Sequence, residues 1–478
     1  MKLTDNKGIS IPIVLVLLAI MLLLAITIVS VIEFDSNTVN NLSSSEKALH
    51  IAEAGYNKYL WLLNDDAYFY KYGESATDGF IIETQYDGTE NPEWNGFTKA
   101  YEKTEYKSGE DVLGYFKIEV TPPTLDKPVV VVKSTGWTAD NKSKRTIQVE
   151  IHKRVFTNYI VFNNGHKDDI PWSENSKMYG PYFTNGDLYT LGATEFFDSV
   201  GYAGKLRYEG ATPIFHKEGQ PVKMQKLQMP SVNDDLKKWA DEDYTFEGRT
   251  YILLKNNKLK IKESDSVVKD NIPLPESGVV YVKGDLYITG VLDGRLTIIA
   301  GRNIYICAYD PTIEWKSAAK YEGITYADQN IPTYDNKDGK TYVSDDMLGL
   351  VTDFDIIIHN KTKQNSWPIA ESNGNVCTAI PDLKIQAALY CNTIRTQDID
   401  FLADRGLDLG QIKYIGSRTV RKSSGTGLVV TDRWGNIIAN YGYSSSNQYD
   451  YRMAYDAPPH FTEPINSGWE VKQWREIR

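Results

Sequence analysis

Hydrophobic and polar positions along the chain fall into two textures. From Ile9 to Ile32 there are 24 consecutive residues without a charge. A helix of that length extends roughly 36 Å, against a hydrocarbon core of about 30 Å, so the run predicts a membrane span. Lys2 and Lys7 precede it and Glu33 and Asp35 follow it. That bias places the N-terminus in the cytoplasm and the bulk of the chain outside. The run exceeds the apolar region of about 7 to 15 residues that a secretory signal carries, and no Ala-x-Ala site follows it. A plain signal anchor fits the same pattern. Beyond the span Leu42, Leu49, Ala52, Tyr56, Tyr59 or Leu60, and Leu63 recur at helical spacings. One helical element is therefore expected over 9–65, its distal stripe packed on the first soluble domain.

After the helix the period changes to that of strands. Tyr115 to Val120 alternates, Val129 to Lys133 is a β-branched run, and Arg145 to Ile151 alternates again across the turn-forming connector 134–145. A small α+β domain over 66–154, ending in a hairpin, is expected. From 155 onward the pattern is short strands and glycine turns. Val280 and Val282, Leu286 and Ile288, Leu296 and Ile298, and Ile304 and Ile306 form alternate apolar pairs separated by Gly284, Gly290, Gly294 and Gly301. Pairs so short, turned at glycine corners, predict a right-handed β-solenoid over 155–456, a β-sandwich being the alternative. Irregular insertions are expected near 201–275 and 308–345, and a helix over Ser231 to Asp243. The segment Asn185-Gly186-Asp187-Leu188 echoes Lys283-Gly284-Asp285-Leu286. The residues 457–478, with Pro458-Pro459-His460 and an aromatic run that includes Trp434, Tyr441, Tyr443, Tyr449, Tyr451, Tyr455, Trp469 and Trp474, read as a tail capping the open end. The fold class is thus mainly β with a long N-terminal α-helix.

Composition narrows the chemistry. The 478 residues hold 52 Lys+Arg against 63 Asp+Glu, a net charge of −11, and no long basic run, so a nucleic-acid partner is not expected. Arg418, Arg421 and Lys422 are a local basic cluster, read as an ordinary strand end. Cys307, Cys377 and Cys391 are too few for a disulfide scaffold and show no zinc spacing, leaving one disulfide plus one thiol open. The histidines at 50, 152, 166, 216, 359 and 460 show no ligand spacing. Asp335-Asn336-Lys337-Asp338-Gly339 lacks the acidic ladder of a calcium loop. No catalytic residue, metal or cofactor is assigned, and the chain reads as non-enzymatic. The rival reading is a membrane-anchored β-helix that binds or degrades a polysaccharide through Asp345, Asp346, Asp353 and Asp355, or Asp398 and Asp400.

Lys7-Gly8 directly before the apolar run, with Ser45-Glu46-Lys47-Ala48-Leu49-His50-Ile51-Ala52-Glu53-Ala54-Gly55 after it, resembles the class III leader and PilX-type N-terminal segment of type IV pilins and pseudopilins. The resemblance covers about residues 1 to 65. It implies a leader over 1–8 cut by a prepilin peptidase between Gly8 and Ile9, then assembly with other pilin-like subunits. Ile13, Ala52, Glu53, Ala54 and Gly55 are the assembly positions it marks. Pilins carry Glu at the fifth mature position, where this chain has Ile13 after Pro12, and that departure resembles low-copy tip or initiating subunits. Residues 155 to 478 resemble an uncharacterised extracellular domain found behind PilX-type segments, on Gly278 to Ile288, Asp345 to Val351 and Trp469 to Glu476. That resemblance implies bactofilin-like rungs. The expected role is a minor, non-enzymatic subunit of a type IV pilus or pseudopilus, held in the membrane and then at the cell surface, presenting its β domain to a surface glycan or protein.

Overall fold

A computed structural model describes residues 10–66, 69–85, 99–124, 127–166, 170–172, 176–231, 236–264, 266–313, 321–338, 343–359, 383–404, 408–431, 437–465 and 467–477. Lys7, Gly8 and Ile9, where processing is expected, lie outside them, as do Cys377 and Trp434. The protein is mainly β with one long N-terminal apolar helix, and it divides into two compact units. The first comprises Met1–Thr124, Val129–His152 and Trp469–Arg478, the second Leu125–Pro128 and Lys153–Gly468.

In the first unit, helix α1 (Ser10–Asp65) runs for 56 residues, roughly 84 Å at helical rise. The strands that follow are β1 (Ile82–Gln85), β2 (Lys99–Tyr101), β3 (Thr104–Ser108), β4 (Asp111–Thr121), β5 (Val130–Thr138) and β6 (Lys144–Lys153). They pair antiparallel in the order β1-β2-β4-β5-β6, with β3 also on β4. The expected hairpin is β5 and β6. Its strands run further into the connector than turn composition suggested, leaving only five residues between them. Asp140 closes that turn by accepting from the Thr138 hydroxyl at 2.7 Å and the Lys142 amide at 3.1 Å, while Asn141 takes a φ of 56°. Phe116, Ile118, Val120, Val130, Val132, Ile147, Val149 and Ile151 face inward and pack on Ile51, Ala52, Tyr59, Leu62 and Leu63 of α1.

The closing strand Trp469–Ile477 corrects the expectation of a cap over 457–478. It lies beside β6 at the margin of the first sheet, where Glu476 pairs with Arg145. The main-chain groups on the free side of β6 need partners, and an extended apolar and charged segment supplies them.

In the second unit successive strands pair in parallel. Thr245–Phe246, Val279–Val282, Arg295–Ala300, Met347–Thr352, Leu383–Cys391 and the later half of Asp408–Val420 form one ladder. The ladder then continues into Val161–Asn163, Tyr182–Thr184, Val200–Tyr202 and Val222–Lys223, so the start of the unit is stacked beyond its end. A second ladder runs through Thr250–Asn256, Leu286–Leu292, Ile304–Ile306, Ile356–Ile358 and Ile394–Thr396. A sandwich needs antiparallel neighbours. Among the described residues of this unit those are confined to Thr250–Asn256 with Lys258–Glu263 and Lys269–Pro273, and to Gly427–Thr431 with Ile437–Gln448.

Val280, Val282, Leu286, Ile288, Leu296, Ile298, Ile304 and Ile306 all lie in one apolar cluster, as their alternation indicated. Val279 and Tyr281 are buried too, in a second cluster on the other face, so Val279–Val282 is covered on both sides. The echoed segments have the same job. Asp187 Oδ1 accepts from the Lys205 amide at 2.8 Å and Asp285 Oδ1 from the Asn303 amide at 3.1 Å, while Leu188 and Leu286 point inward with no exposure. Each Asp thus ties its corner to the next strand of the stack. Gly290, at a φ of 116°, lets the chain turn where a Cβ would sit 2.3 Å from the Leu254 carbonyl oxygen.

Two expectations are corrected here. The stretch 201–275 is not an irregular insertion but carries short paired strands. In place of a helix over Ser231 to Asp243, the described residues form two single 3-10 turns, Lys237–Trp239 and Glu242–Tyr244.

Candidate functional site

Helix α1 has two halves with different surroundings. Among the described residues, side chains from Ile13, 52 % exposed, to Leu42, 61 % exposed, stand uncovered, whereas Ala48 and Ala52 are fully buried. The free half has a mean hydropathy of 3.2 over its most apolar 18 residues, and by length and composition it can cross a membrane. Its hydroxyls at Thr27 and Ser30 are satisfied within the helix: Thr27 donates to the Leu23 and Leu24 carbonyls at 3.0 and 2.8 Å, and Ser30 to the Ile26 carbonyl at 2.9 Å. A helix in hydrocarbon requires that internal satisfaction.

The other half is clamped on β5 at unusually close range. A Cβ on Gly136 would lie 2.3 Å from the Ala48 carbonyl oxygen and 2.5 Å from the Ala52 nitrogen. A Cβ on Gly55 would lie 2.7 Å from Ser134 Oγ, and that hydroxyl donates to the Ala52 carbonyl at 2.7 Å. Above the clamp Tyr59, Phe69, Phe80 and Tyr101 cluster, Phe80 meeting Tyr101 edge to face at 5.2 Å between centroids while Phe69 stacks parallel to Tyr101 at 6.3 Å. The sequence reading gave Ala52, Glu53, Ala54 and Gly55 to assembly. Of these, Ala52 and Gly55 are buried against the chain's own sheet. Glu53 and Ala54 are half-buried beside them, with Glu53 3.1 Å from the His50 ring. Ile13 is the one member of the set on the uncovered half.

Three of the carboxylates singled out for glycosidic chemistry are separately occupied. Asp346 is buried and holds two loops together, accepting from the Gly294 amide at 2.6 Å and the Asp328 amide at 2.9 Å. Burial pushes its carboxyl up from the ordinary value. Asp353 accepts from Arg421 at 2.8 Å, and Asp355 from Arg395 at 3.0 Å and Asn392 at 2.9 Å. Arg421 also donates to the Pro230 carbonyl, and Arg418 lies over the Tyr414 ring and donates to Asn447 at 2.6 Å. The expected basic cluster is therefore drawn into the fold. In the calcium-like loop Lys337 pairs with Asp338 at 2.9 Å, and among the described residues no group of three or more His, Cys, Asp or Glu is placed to hold a metal. Cys307 and Cys391 are buried thiols, and desolvation pushes the Cys391 thiol well up.

Among the described residues, the aromatic run near the C-terminus does not form one exposed strip. Tyr443 and Tyr449 are buried, and Trp469 and Trp474 belong to the other unit. What the sequence did not single out is Trp137, on the outer face of β5. It lies between the Lys103 and Lys144 ammoniums at 4.5 and 5.6 Å, in an open trough of about 790 Å³. Lys103 and Lys144 are far from Trp137 in sequence or across a turn, and only the pairing of strands brings them together.

One polar cluster makes a pH prediction. Asp198 is desolvated, which opposes its charge, but the Tyr451 hydroxyl at 2.8 Å and the Lys217 ammonium at 3.0 Å outweigh this and hold the carboxyl below its ordinary 3.8. A depressed carboxyl contributes stability above its unfolded value and loses it as pH falls through the folded one. Acid titration of the second unit's thermal transition is expected to show that loss, and Asp198→Asn to flatten it.

No family model matches the chain, and no curated protein matches it. Among solved structures, a similar one is the crystal structure of the competence-associated pilin ComZ from Thermus thermophilus. It is 11 % identical, covering 91 % of this chain and 97 % of that one, with a TM-score of 0.26. A superposition that loose carries no argument about fold or function.

Proposed function

We propose that the protein is a minor, non-enzymatic pilin-like subunit of a type IV pilus or pseudopilus. It is held in the membrane by α1 with its N-terminus cytoplasmic, and it presents the second unit outside the cell. The observation that carries this reading is the division of α1 into an uncovered apolar half and a half locked onto an antiparallel sheet. A plain anchor needs only the span. A rod rigidly continuous with a folded head can leave lipid as one body and bury the same side chains against sister subunits.

The Lys7-Gly8 leader and the helical signature support processing by a prepilin peptidase, with Ile9 as the mature N-terminus. Ile13, in place of a carboxylate, supports a tip or initiating position, because the subunit has no charge there to pair with a neighbour's terminal amine. The parallel ladders with glycine corners support reading the second unit as a right-handed β-solenoid of bactofilin-like plan.

Mass spectrometry of the membrane-extracted chain is expected to find Ile9 as the first residue, and Gly8→Leu to leave Met1 in place and remove the protein from sheared appendage fractions. An intact Met1 in the wild type sinks the proposal. Immunogold labelling is expected at filament ends, and even labelling along the shaft would defeat the tip assignment.

A further inference from the structure

The stack of the second unit ends differently on its two sides. At one end, Thr250–Asn256 is covered by the antiparallel Lys258–Glu263, itself followed by Lys269–Pro273. At the other, the last strands are Leu206–Glu209, Ile214–Phe215 and Val222–Lys223, each paired on one side only, to Leu188–Leu191, Glu195–Phe196 and Val200–Tyr202. In a parallel ladder the N–H and C=O of one residue face the same neighbour, and successive residues alternate. The bonds Leu188 N–H to Lys205 at 2.8 Å, Ile214 N–H to Thr194 at 2.8 Å and Met224 N–H to Tyr202 at 2.8 Å fix the phase. The main-chain groups of Leu206, Tyr208, Phe215 and Lys223 therefore point away from the stack, and no hydrogen bond to them exists among the described residues.

The apolar interior ends there too. Leu206 is in register with the fully buried Leu188 yet is 42 % exposed, and Phe215 stacks on Phe196 at 5.4 Å with its far side uncovered and half-buried. This last coil is itself basic, standing on a coil that carries Asp187, Glu195 and Asp198. Lys205, Arg207, Lys217 and Lys223 stand against Glu209 and Glu218 on this coil, in a protein of net charge −11. Two of these cations have acidic neighbours, Arg207 with Glu209 at 3.8 Å and Lys217 with Asp198 at 3.0 Å.

We infer that this open edge is a docking site for an extended, acidic segment of another polypeptide, which adds as a strand and covers Leu206 and Phe215. An uncovered parallel edge of this kind is a template for strand addition: the main chain gives affinity, and the flanking side chains give selectivity. A second copy is disfavoured in either orientation. Edge to edge it opposes two sets of Lys205, Arg207, Lys217 and Lys223, and edge to far end it meets the covering hairpin.

The test uses the full chain in nanodiscs and a short synthetic peptide alternating Val with Glu. Fluorescence anisotropy is expected to show binding, and amide exchange at Leu206, Tyr208, Phe215 and Lys223 to slow at least about tenfold. Tyr208→Pro removes an outward N–H that the fold does not use, and it is expected to abolish binding while the thermal transition stays in place. Leu206→Glu leaves the backbone intact and is expected to weaken binding at least about tenfold through like charge. The inference is overturned if those amides are not slowed, if a Val/Lys peptide or one broken by a central Pro binds equally well, or if the chain alone dimerises and protects the same amides.

Discussion

Asp450→Ala is expected to destabilise the second unit by about 3–5 kcal/mol, the range for stranding one member of a buried ion pair. Asp450 and Arg452 are both buried, at 0 and 3 % side-chain exposure. Arg452 donates to the two carboxylate oxygens at 2.9 Å from Nε and 2.6 Å from Nη2, donates to the Ser344 carbonyl, and lies 5.4 Å from the Tyr326 ring centroid. Asp450 also caps the 3-10 turn Tyr451–Ala454 by accepting from the Arg452 amide at 3.1 Å. Without the carboxylate the guanidinium keeps one carbonyl and an aromatic face, and cannot deprotonate to escape. Chemical denaturation followed on the second unit checks the loss. The double replacement Asp450→Leu with Arg452→Met is expected to recover most of it, since an apolar pair of similar volume has no stranded charge. If the single and double variants lose the same stability, the pair contributes through packing alone.

That pair also marks where sequence reading stopped. The membrane-length run and the β5–β6 hairpin were legible because each is local: an uncharged stretch in one case, two alternating runs across a turn in the other. The inward pairs from Val280 to Ile306 were legible because neighbouring strands of the stack follow each other in sequence, with glycines at the corners. The placement of 161–223 beyond Val420 was not legible, because strand-to-strand stacking has no directional signature and Val161 meets Arg418 only through a free edge. Strands of two to four residues, such as Ile214–Phe215, are too short to show a period, so 201–223 looked irregular. Asp346 illustrates the same limit for chemistry. A run of acidic residues looks alike whether it faces a substrate or, as here, accepts the amides of Gly294 and Asp328.

Gly136→Val is expected to cost the first unit about 3–5 kcal/mol, at the upper end for overpacking, because the obstruction is backbone. The nearest atoms to an added Cβ are the Ala48 carbonyl oxygen at 2.3 Å and the Ala52 nitrogen at 2.5 Å, neither of which can rotate away. Helix α1 would have to lift off β5, breaking the Ser134 to Ala52 hydrogen bond and opening the contacts of Ile51 and Tyr59 with the sheet. Differential exchange of the α1 amides near Ala52, with thermal melting of the first unit, measures this. Glu53→Gln, on the half-exposed flank, is expected to stay within about 0.5 kcal/mol. The contrast tests what the Ala52-to-Gly55 segment is for. If it joins subunits, Gly136→Val should leave the monomer's melting unchanged. If it joins the rod to its own head, the monomer loosens, and filament incorporation fails because the rod and head no longer move as one body. A neutral Gly136→Val would remove the rigid coupling on which the pilin-like reading depends.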